Sequence, residues 1–385
     1  MTLHQLNGFN AIDFLKEYWQ KKPVVLKNAI TPFVDPIDEN DLAALAQEDS
    51  MDSRIISREQ GQWSMAQGPF AEFEPYCKGQ WTLLVQGVEH LIQDTQPLLN
   101  LFDFIPNWRI DDLMVSYSVE GAGVGPHIDQ YDVFIIQGKG KRRWQVGLPG
   151  DYKTLYPHPK LSQIDNFEPI IDEILEPGDI IYIPPGYPHN GVALTECLNY
   201  SIGFRAPDQR QLFENIADFM LDSGFVGQRY QDPNIELRDN PAQINITEIN
   251  TVRGLLKQWI DSPSFDDFFA RIASFNQVDP EQQLSPEEQY SNEEIHELLE
   301  DGVNLIRVGG VKPTFVQNLP NEDKESFTFF IEKNVFTVPN HITQEVNALL
   351  RHSVYEAENQ EEKGLDPEFI QLITTLVNLG YWYID

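Results

Sequence analysis

Cysteine is nearly absent. The 385 residues include only Cys77 and Cys197, too few for a disulfide framework or a thiolate metal site. Long apolar runs are missing as well, and no stretch approaches the roughly 18 residues of a membrane span. The opening MTLHQLNGFNAIDFLKEYW has no basic start followed by an apolar stretch, so no secretory signal is expected and a cytoplasmic location is. Basic residues are scarce: 27 Lys and Arg face 60 Asp and Glu, for a formal net charge of −33. Phosphate binding needs a clustered basic footprint, which disfavours nucleic acid as a direct partner. The same charge attracts basic partners, unless it serves solubility or a salty habitat alone. What is present suffices for real cores: 41% of residues are apolar and 11% aromatic. At about 150 residues per domain the length suggests two or three domains.

The chain has three zones. Its start reads as a helix with Phe14, Leu15, Tyr18 and Trp19 on one face, followed by extended Pro23–Leu26. The middle reads as β, with strands expected at Leu113–Val119, Val133–Gln137, Arg142–Leu148, Ile170–Leu175, Asp179–Ile183 and Cys197–Phe204. Turns rich in Gly and Pro punctuate them, a pattern that suggests a sandwich or barrel. After Pro207 the pattern turns helical. One stripe joins Leu212, Phe213, Ile216, Phe219 and Met220, a second Leu255, Leu256, Trp259 and Ile260, and a third Phe265, Phe268, Phe269 and Ile272. Polar Asn276–Ser291 reads as a linker. Beyond it, helices near Glu293–Leu299, Thr343–Leu350 and Pro367–Leu379 and strands near Leu305–Val308 and Phe327–Ile331 make a module of winged-helix proportions. Residues 1–210 carry 16 basic and 29 acidic groups, and residues 211–385 carry 11 and 31. The last module is therefore the more acidic part and a poor candidate for DNA binding.

Chemistry concentrates in two places. In GAGVGPHID, His127 and Asp129 stand two apart, so on a strand they project from one face. Further on, GDIIYIPPGYPH leads a strand into a Pro/Gly turn that presents His189. Two histidines and a carboxylate on adjacent strands are what a facial triad for non-haem Fe(II) requires, three protein ligands leaving three positions open. Gly121 with His127, and Gly178, Pro184, Gly186 and His189, match the two cupin motifs. The departure from a four-ligand cupin is Asp129 in place of the second histidine, with Val133 and Phe134 where a Glu would fall. Three ligands leave room for a bidentate cosubstrate and O2. None of the other histidines (His4, His90, His158, His296, His341, His352) is paired at ligand spacing in the sequence.

The cosubstrate has a candidate anchor. In Arg142–Leu148, alternation puts Arg142 on the face of Trp144, Val146 and Leu148, with Arg143 and Gln145 opposite. An arginine on an apolar face needs an anion, and a guanidinium fork suits a carboxylate. The distal carboxylate of 2-oxoglutarate would serve; a protein carboxylate would serve equally, and a bulge would exchange Arg142 with Arg143. In Cys197–Phe204 one face is small and polar (Cys197, Asn199, Ser201, Gly203), and Ser116 and Ser118 alternate with larger residues in the earlier strand. Asn199 and Ser118 are the first choices for cosubstrate contacts.

The runs GVGPHIDQYDVFIIQGKGKRRWQVG, EPGDIIYIPPGYPHNGVA and LNYSIGFRAP resemble the JmjC-type ribosomal oxygenases, especially the bacterial arginine hydroxylases of the group. FLKEYWQKKPVVLKNAI and LVNLGYWYID extend the likeness to both ends of the chain. The resemblance implies an α+β protein in three parts: a JmjC (cupin) double-stranded β-helix over 1–207, a helical dimerisation region over 208–276 and a winged-helix-like domain over 277–385. It implies iron ligands at His127, Asp129 and His189, and a 2-oxoglutarate anchor at Arg142. Fe(II), 2-oxoglutarate and O2 would hydroxylate an arginyl residue of a basic large-subunit ribosomal protein, and the enzyme would be a homodimer. Three alternatives stand beside that expectation: a histidyl target, another protein or small-molecule substrate, and a non-catalytic cupin that holds a basic partner on its acidic surface.

Overall fold

The structure is a computed structural model that describes residues 6–275, 285–317, 325–332, 334–356 and 365–385. The chain divides into two compact units. The first runs to Ala206 and takes in Val308–Gly310, and the second holds the other described residues from Pro207 onward.

The first unit comprises α1 (Ala11–Glu17), β1 (Val24–Leu26), α2 (Glu39–Leu45), β2 (Ser53–Glu59), β3 (Gln62–Gln67), β4 (Gln80–Val85), α3 (Gln96–Asn100), β5 (Ile110–Ser118), β6 (His127–Ile128), β7 (Asp132–Gln137), β8 (Arg142–Gly147), β9 (Thr154–His158), β10 (Leu161–Ile164), β11 (Pro169–Leu175), β12 (Ile180–Ile183), β13 (Pro188–Ala193) and β14 (Cys197–Phe204). A major antiparallel sheet runs in the order β1-β12-β7-β14-β5-β4-β2-β3, a minor one β11-β8-β13-β6, and β9 and β10 form a hairpin.

Two apolar layers flank the centre of the major sheet. Phe134 and Ile136 of β7 and Ile180 and Tyr182 of β12 join Phe14, Phe102 and Phe204 in the outer core. The alternate residues Val133, Ile135, Ile181 and Ile183 meet Trp144 and Val146 of β8 and Leu175 of β11 on the inner side. A strand buried on both faces reads as a continuous apolar run, which is how VFII and IIYI read in the sequence. Each such side chain contributes about 1.5–3 kcal/mol by leaving water.

The N-terminal helix is shorter than its apolar stripe. Asn10 caps α1 by accepting from the Ile12 and Asp13 amides, and the helix ends at Glu17. Gln20 then takes a left-handed φ of 56°, so Tyr18 and Trp19 pack from the exit turn and Leu15 stays 37% exposed. The strands β2, β3 and β4 have no counterpart among the expected elements.

The second unit comprises α4 (Gln209–Asp222), α5 (Ile246–Ile260), α6 (Pro263–Ser274), α7 (Asn292–Glu300), β15 (Leu305–Arg307), β16 (Ser326–Ile331), β17 (Asn334–Pro339), α8 (Thr343–Arg351), β18 (Val354–Tyr355), α9 (Pro367–Asn378) and β19 (Trp382–Ile384). Capping boxes start α4 at Asp208 and α7 at Ser291, each satisfying amides that a helix N-terminus leaves unpaired. Of the expected linker, 276–284 lies outside the described residues. Phe219, Trp259 and Phe265 surround the fully buried Phe268. Elsewhere on α4 and α5, Leu212, Ile216, Met220 and Leu255 are half-buried, and Phe213, Leu256 and Ile260 are 60%, 59% and 41% exposed.

Candidate metal centre and cosubstrate anchor

The antiparallel pairing of β6 with β13 sets His127 directly opposite His189, with ring centroids 4.2 Å apart. Asp129 lies one residue beyond the short strand β6, and its carbonyl accepts from the Gly186 amide at 2.8 Å. That bond ties the carboxylate's backbone to the turn that presents His189. The turn needs glycine, because Gly186 has a φ of +82°. Asp129 Oδ2 lies 3.7 Å from His127 Nε2 and 3.5 Å from His189 Nε2, and one ligand atom from each residue falls within 4.8 Å of the others.

Hydrogen bonds fix both imidazoles. His127 Nδ1 meets the Gly125 carbonyl at 2.9 Å and His189 Nδ1 meets the Tyr187 carbonyl at 3.0 Å. A carbonyl can only accept, so each Nδ1 carries the proton and each Nε2 presents a lone pair. Burial, with His189 beside it, pulls the His127 pKa down to about 4, despite the Asp129 charge. The imidazole is thus neutral, as a metal ligand must be. Burial pushes the Asp129 carboxyl up, but His127, His189 and a hydrogen bond from Tyr131 outweigh it and hold the group well below the usual carboxylate range. Two imidazole nitrogens and one ionised carboxylate suit a divalent iron, with no thiolate needed.

Arg142 settles two open questions. It is 3% exposed while Arg143 is exposed and forks onto Asp172 at 2.6 and 2.5 Å. The irregularity between β8 and β11 falls at Pro169/Ile171, beyond both arginines, so no bulge exchanges them. The partners of the Arg142 guanidinium are neutral: Nη1 donates to Ser118 Oγ at 3.2 Å and Asn199 Oδ1 at 3.1 Å, and Nη2 to the Gly191 carbonyl at 3.1 Å. No carboxylate pairs with it among the described residues. Burial accordingly lowers its pKa. Asn199 is itself held by Gln137 at 2.8 Å, and Ser118 by Thr82 at 2.9 Å. The three residues expected to meet a cosubstrate thus form one cluster, in which Ser118 and Asn199 brace the arginine.

Sequence reading missed other residues around the triad. Gly203, on the small polar face of β14, lies beside Asp112 and Tyr131, and the latter bonds to Asp129. Burial, then Glu89 and Asp111, pushes the Asp112 carboxyl up to about 6. Pairing of β14 with β5 and β7 brings these positions together, and no local spacing signals it. The fold adds a grouping around one other histidine. His341 lies near Asp366 and Glu368, at 3.1 and 3.2 Å, in a second group of ligand-type side chains. The fold joins positions 25 residues apart, which close spacing could not reveal. Asp366 already caps α9 there, and His341 is exposed. His158 ends strand β9.

Comparison with known proteins agrees with this geometry. Residues 97–212 match the family model of the JmjC domain, and residues 246–383 that of the ROXA-like winged helix. The chain is 42% identical over 378 residues to the ribosomal protein uL16 3-hydroxylase of Escherichia coli (strain K12), covering 97% of each protein. It also resembles the solved structure of the E. coli ribosomal oxygenase YcfD in complex with cobalt and 2-oxoglutarate, with a TM-score of 0.85, 40% identity and 99% coverage of both chains. The complex of the same protein with cobalt and succinic acid gives a TM-score of 0.86 at 39% identity, again over 99% of both chains. The chain therefore belongs to the JmjC-domain ribosomal oxygenases.

Proposed function

We propose that the enzyme hydroxylates an arginyl side chain of the large-subunit ribosomal protein uL16, with His127, Asp129 and His189 as iron ligands and Arg142 as the 2-oxoglutarate anchor. The observation that carries this reading is a face of two imidazoles and a carboxylate in the same unit as a buried guanidinium whose hydrogen-bond partners among the described residues are all neutral. Iron(II), when bound, supplies the activation of O2 that couples decarboxylation of 2-oxoglutarate to insertion of oxygen into a C–H bond. The products are succinate, CO2 and the hydroxylated side chain.

The chain's own residues do the positioning. Both Nδ1–H donors are spent on carbonyls, so the Nε2 lone pairs and the Asp129 carboxylate converge without reorganising. Arg142 offers a fork to the distal carboxylate, and Ser118 and Asn199 keep that fork from swinging. The charged anchor is buried, which excludes water from that end of the cosubstrate. Asp112 gives a reason for a cationic target. It is a half-buried carboxyl next to Tyr131; among the described residues it accepts from Gln86 and a backbone amide, and it is crowded by the acidic Glu89 and Asp111. Asp111 is already paired with Arg205 at 3.0 Å, and Glu89 neighbours His90. An incoming guanidinium would supply Asp112 with the charge it lacks.

The chain reads as an oxygenase domain over 1–207, a helical region over 208–276 and a winged-helix-like domain over 277–385. The open apolar faces of α4 and α5 support homodimerisation through the helical region. The test is succinate release from 2-oxoglutarate with Fe(II), stimulated by a uL16 fragment. Turnover that survives His127→Ala would refute the ligand assignment.

A further inference from the structure

We propose that Trp144 is an additional cosubstrate-binding residue whose indole N–H donates to 2-oxoglutarate between the anchor and the metal ligands. The inference rests on the reading that 2-oxoglutarate spans Arg142 and the His127–Asp129–His189 face. Trp144 is 6% exposed, and its Nε1 has no acceptor among the described residues. Leaving a buried N–H unpaired costs about 1–3 kcal/mol, so such a donor points to an acceptor that arrives with a ligand. Trp259 and Trp382 also have Nε1 atoms without an acceptor, but neither lies in the oxygenase unit. Position is what sets Trp144 apart.

The register of β8 against β13 gives that position. Arg142 stands opposite Ala193, Trp144 opposite Gly191, and Val146 opposite His189. Arg142, Trp144 and Val146 share the inward face of β8 by alternation, so the indole lies midway between the anchor and the metal-binding histidine. The four residue steps from 142 to 146 span about 13 Å of strand, a distance that the Arg142 side chain, a five-carbon diacid and a metal ion fill together. The Trp144 ring centroid is 6.1 Å from that of His189, and the Arg142 Cζ is 5.1 Å from the indole ring. Nothing from β13 intervenes, because position 191 is glycine. A Cβ there would lie 2.7 Å from Arg142 Nε and 2.8 and 2.9 Å from Trp144 Cη2 and Cζ2. Arg142 Nε, beside the indole, is likewise a buried donor without an acceptor among the described residues. Two unsatisfied donors therefore sit on neighbouring side chains of this face: Arg142 serves the distal carboxylate, and the indole N–H is left to donate to an oxygen at the 2-oxo acid end.

The test uses Trp144→Phe, which removes the N–H and keeps a ring beneath Arg142. The full chain is loaded with Zn(II) as a redox-inert stand-in for iron, and 2-oxoglutarate binding is measured by calorimetry. Loss of one neutral hydrogen bond predicts an affinity about 3–10-fold weaker, with Zn(II) affinity unchanged. A second readout needs no variant to bind anything. In the 15N-labelled wild type, the indole resonance missing from Trp144→Phe should shift when 2-oxoglutarate is added. If Trp144→Phe does not fold, that resonance is assigned in the wild type through its own backbone. Unchanged affinity, or a Trp144 indole resonance that 2-oxoglutarate leaves in place, overturns the role of Trp144. Wild-type protein that takes up Zn(II) but no 2-oxoglutarate overturns the underlying reading instead.

Discussion

His127 and His189 meet across a strand pair only two residues long, so the metal face depends on a few hydrogen bonds rather than on a long ladder. Replacing either with alanine should abolish metal-dependent turnover and weaken Co(II) uptake, checked by the cobalt absorption of the loaded protein. Arg142→Ala should raise the KM for 2-oxoglutarate by about 100-fold or more, since hydrogen bonds to a charged group are worth roughly 1.5–3 kcal/mol each. Initial rates against 2-oxoglutarate concentration read this directly. Asp112 carries the pH prediction. Its folded pKa of about 6 lies above the ordinary value of 3.8. The folded chain therefore holds that proton more tightly than the unfolded chain between these values, and the contribution is lost as pH rises through about 6. Asp112→Asn should stabilise the free enzyme at pH 7.5, on the order of 1 kcal/mol, and make no difference near pH 4. Thermal unfolding at the two pH values decides it, and a stability gap independent of pH would contradict it. His127, Asp129, His189 and Arg142 were legible because their meaning lies in short spacings and in alternation along one strand. Tyr131 and Asp112 were not, since only the pairing of β14 with β5 and β7 gives them a common neighbour in Gly203.

The elements divide the same way. The buried strands β7, β8, β12 and β14 announce themselves by unbroken or alternating apolar residues, and their expected limits differ from the observed ones by a residue at most. β2 and β3 escaped because Arg54, Arg58, Glu59 and Gln62 break any clean alternation. There the register to β4 organises the strand more than its composition does. α1 was overextended because apolar residues continue past Glu17 into a turn. In the helical region, a stripe alone does not say which members are buried. Phe268, fully buried among Phe219, Trp259 and Phe265, should cost about 3–5 kcal/mol as Phe268→Ala, read by denaturant unfolding. The exposed pair Phe213 and Leu256 should cost little. If the open faces join two copies, Phe213→Glu with Leu256→Glu yields monomers in sedimentation, whereas an unchanged sedimentation coefficient removes these faces from the interface.

At the scale of the molecule, the net charge of −33 acquires a use in an enzyme whose proposed substrate is a basic protein. Long-range attraction is screened within about 8–10 Å at ordinary salt. The KM for a uL16 fragment should therefore rise with ionic strength while the KM for 2-oxoglutarate, bound at a buried anchor, changes little. A fragment KM that stays flat from low to high salt would leave the charge to solubility alone. Hydroxylation of an arginine by the triad and its anchored cosubstrate is read from the mass of uL16 after incubation with the enzyme, Fe(II), 2-oxoglutarate and O2. The expected result is a gain of one oxygen localised to a single arginine, dependent on 2-oxoglutarate and lost with His127→Ala. An unchanged mass, or an oxygen placed on a residue other than arginine, would contradict it.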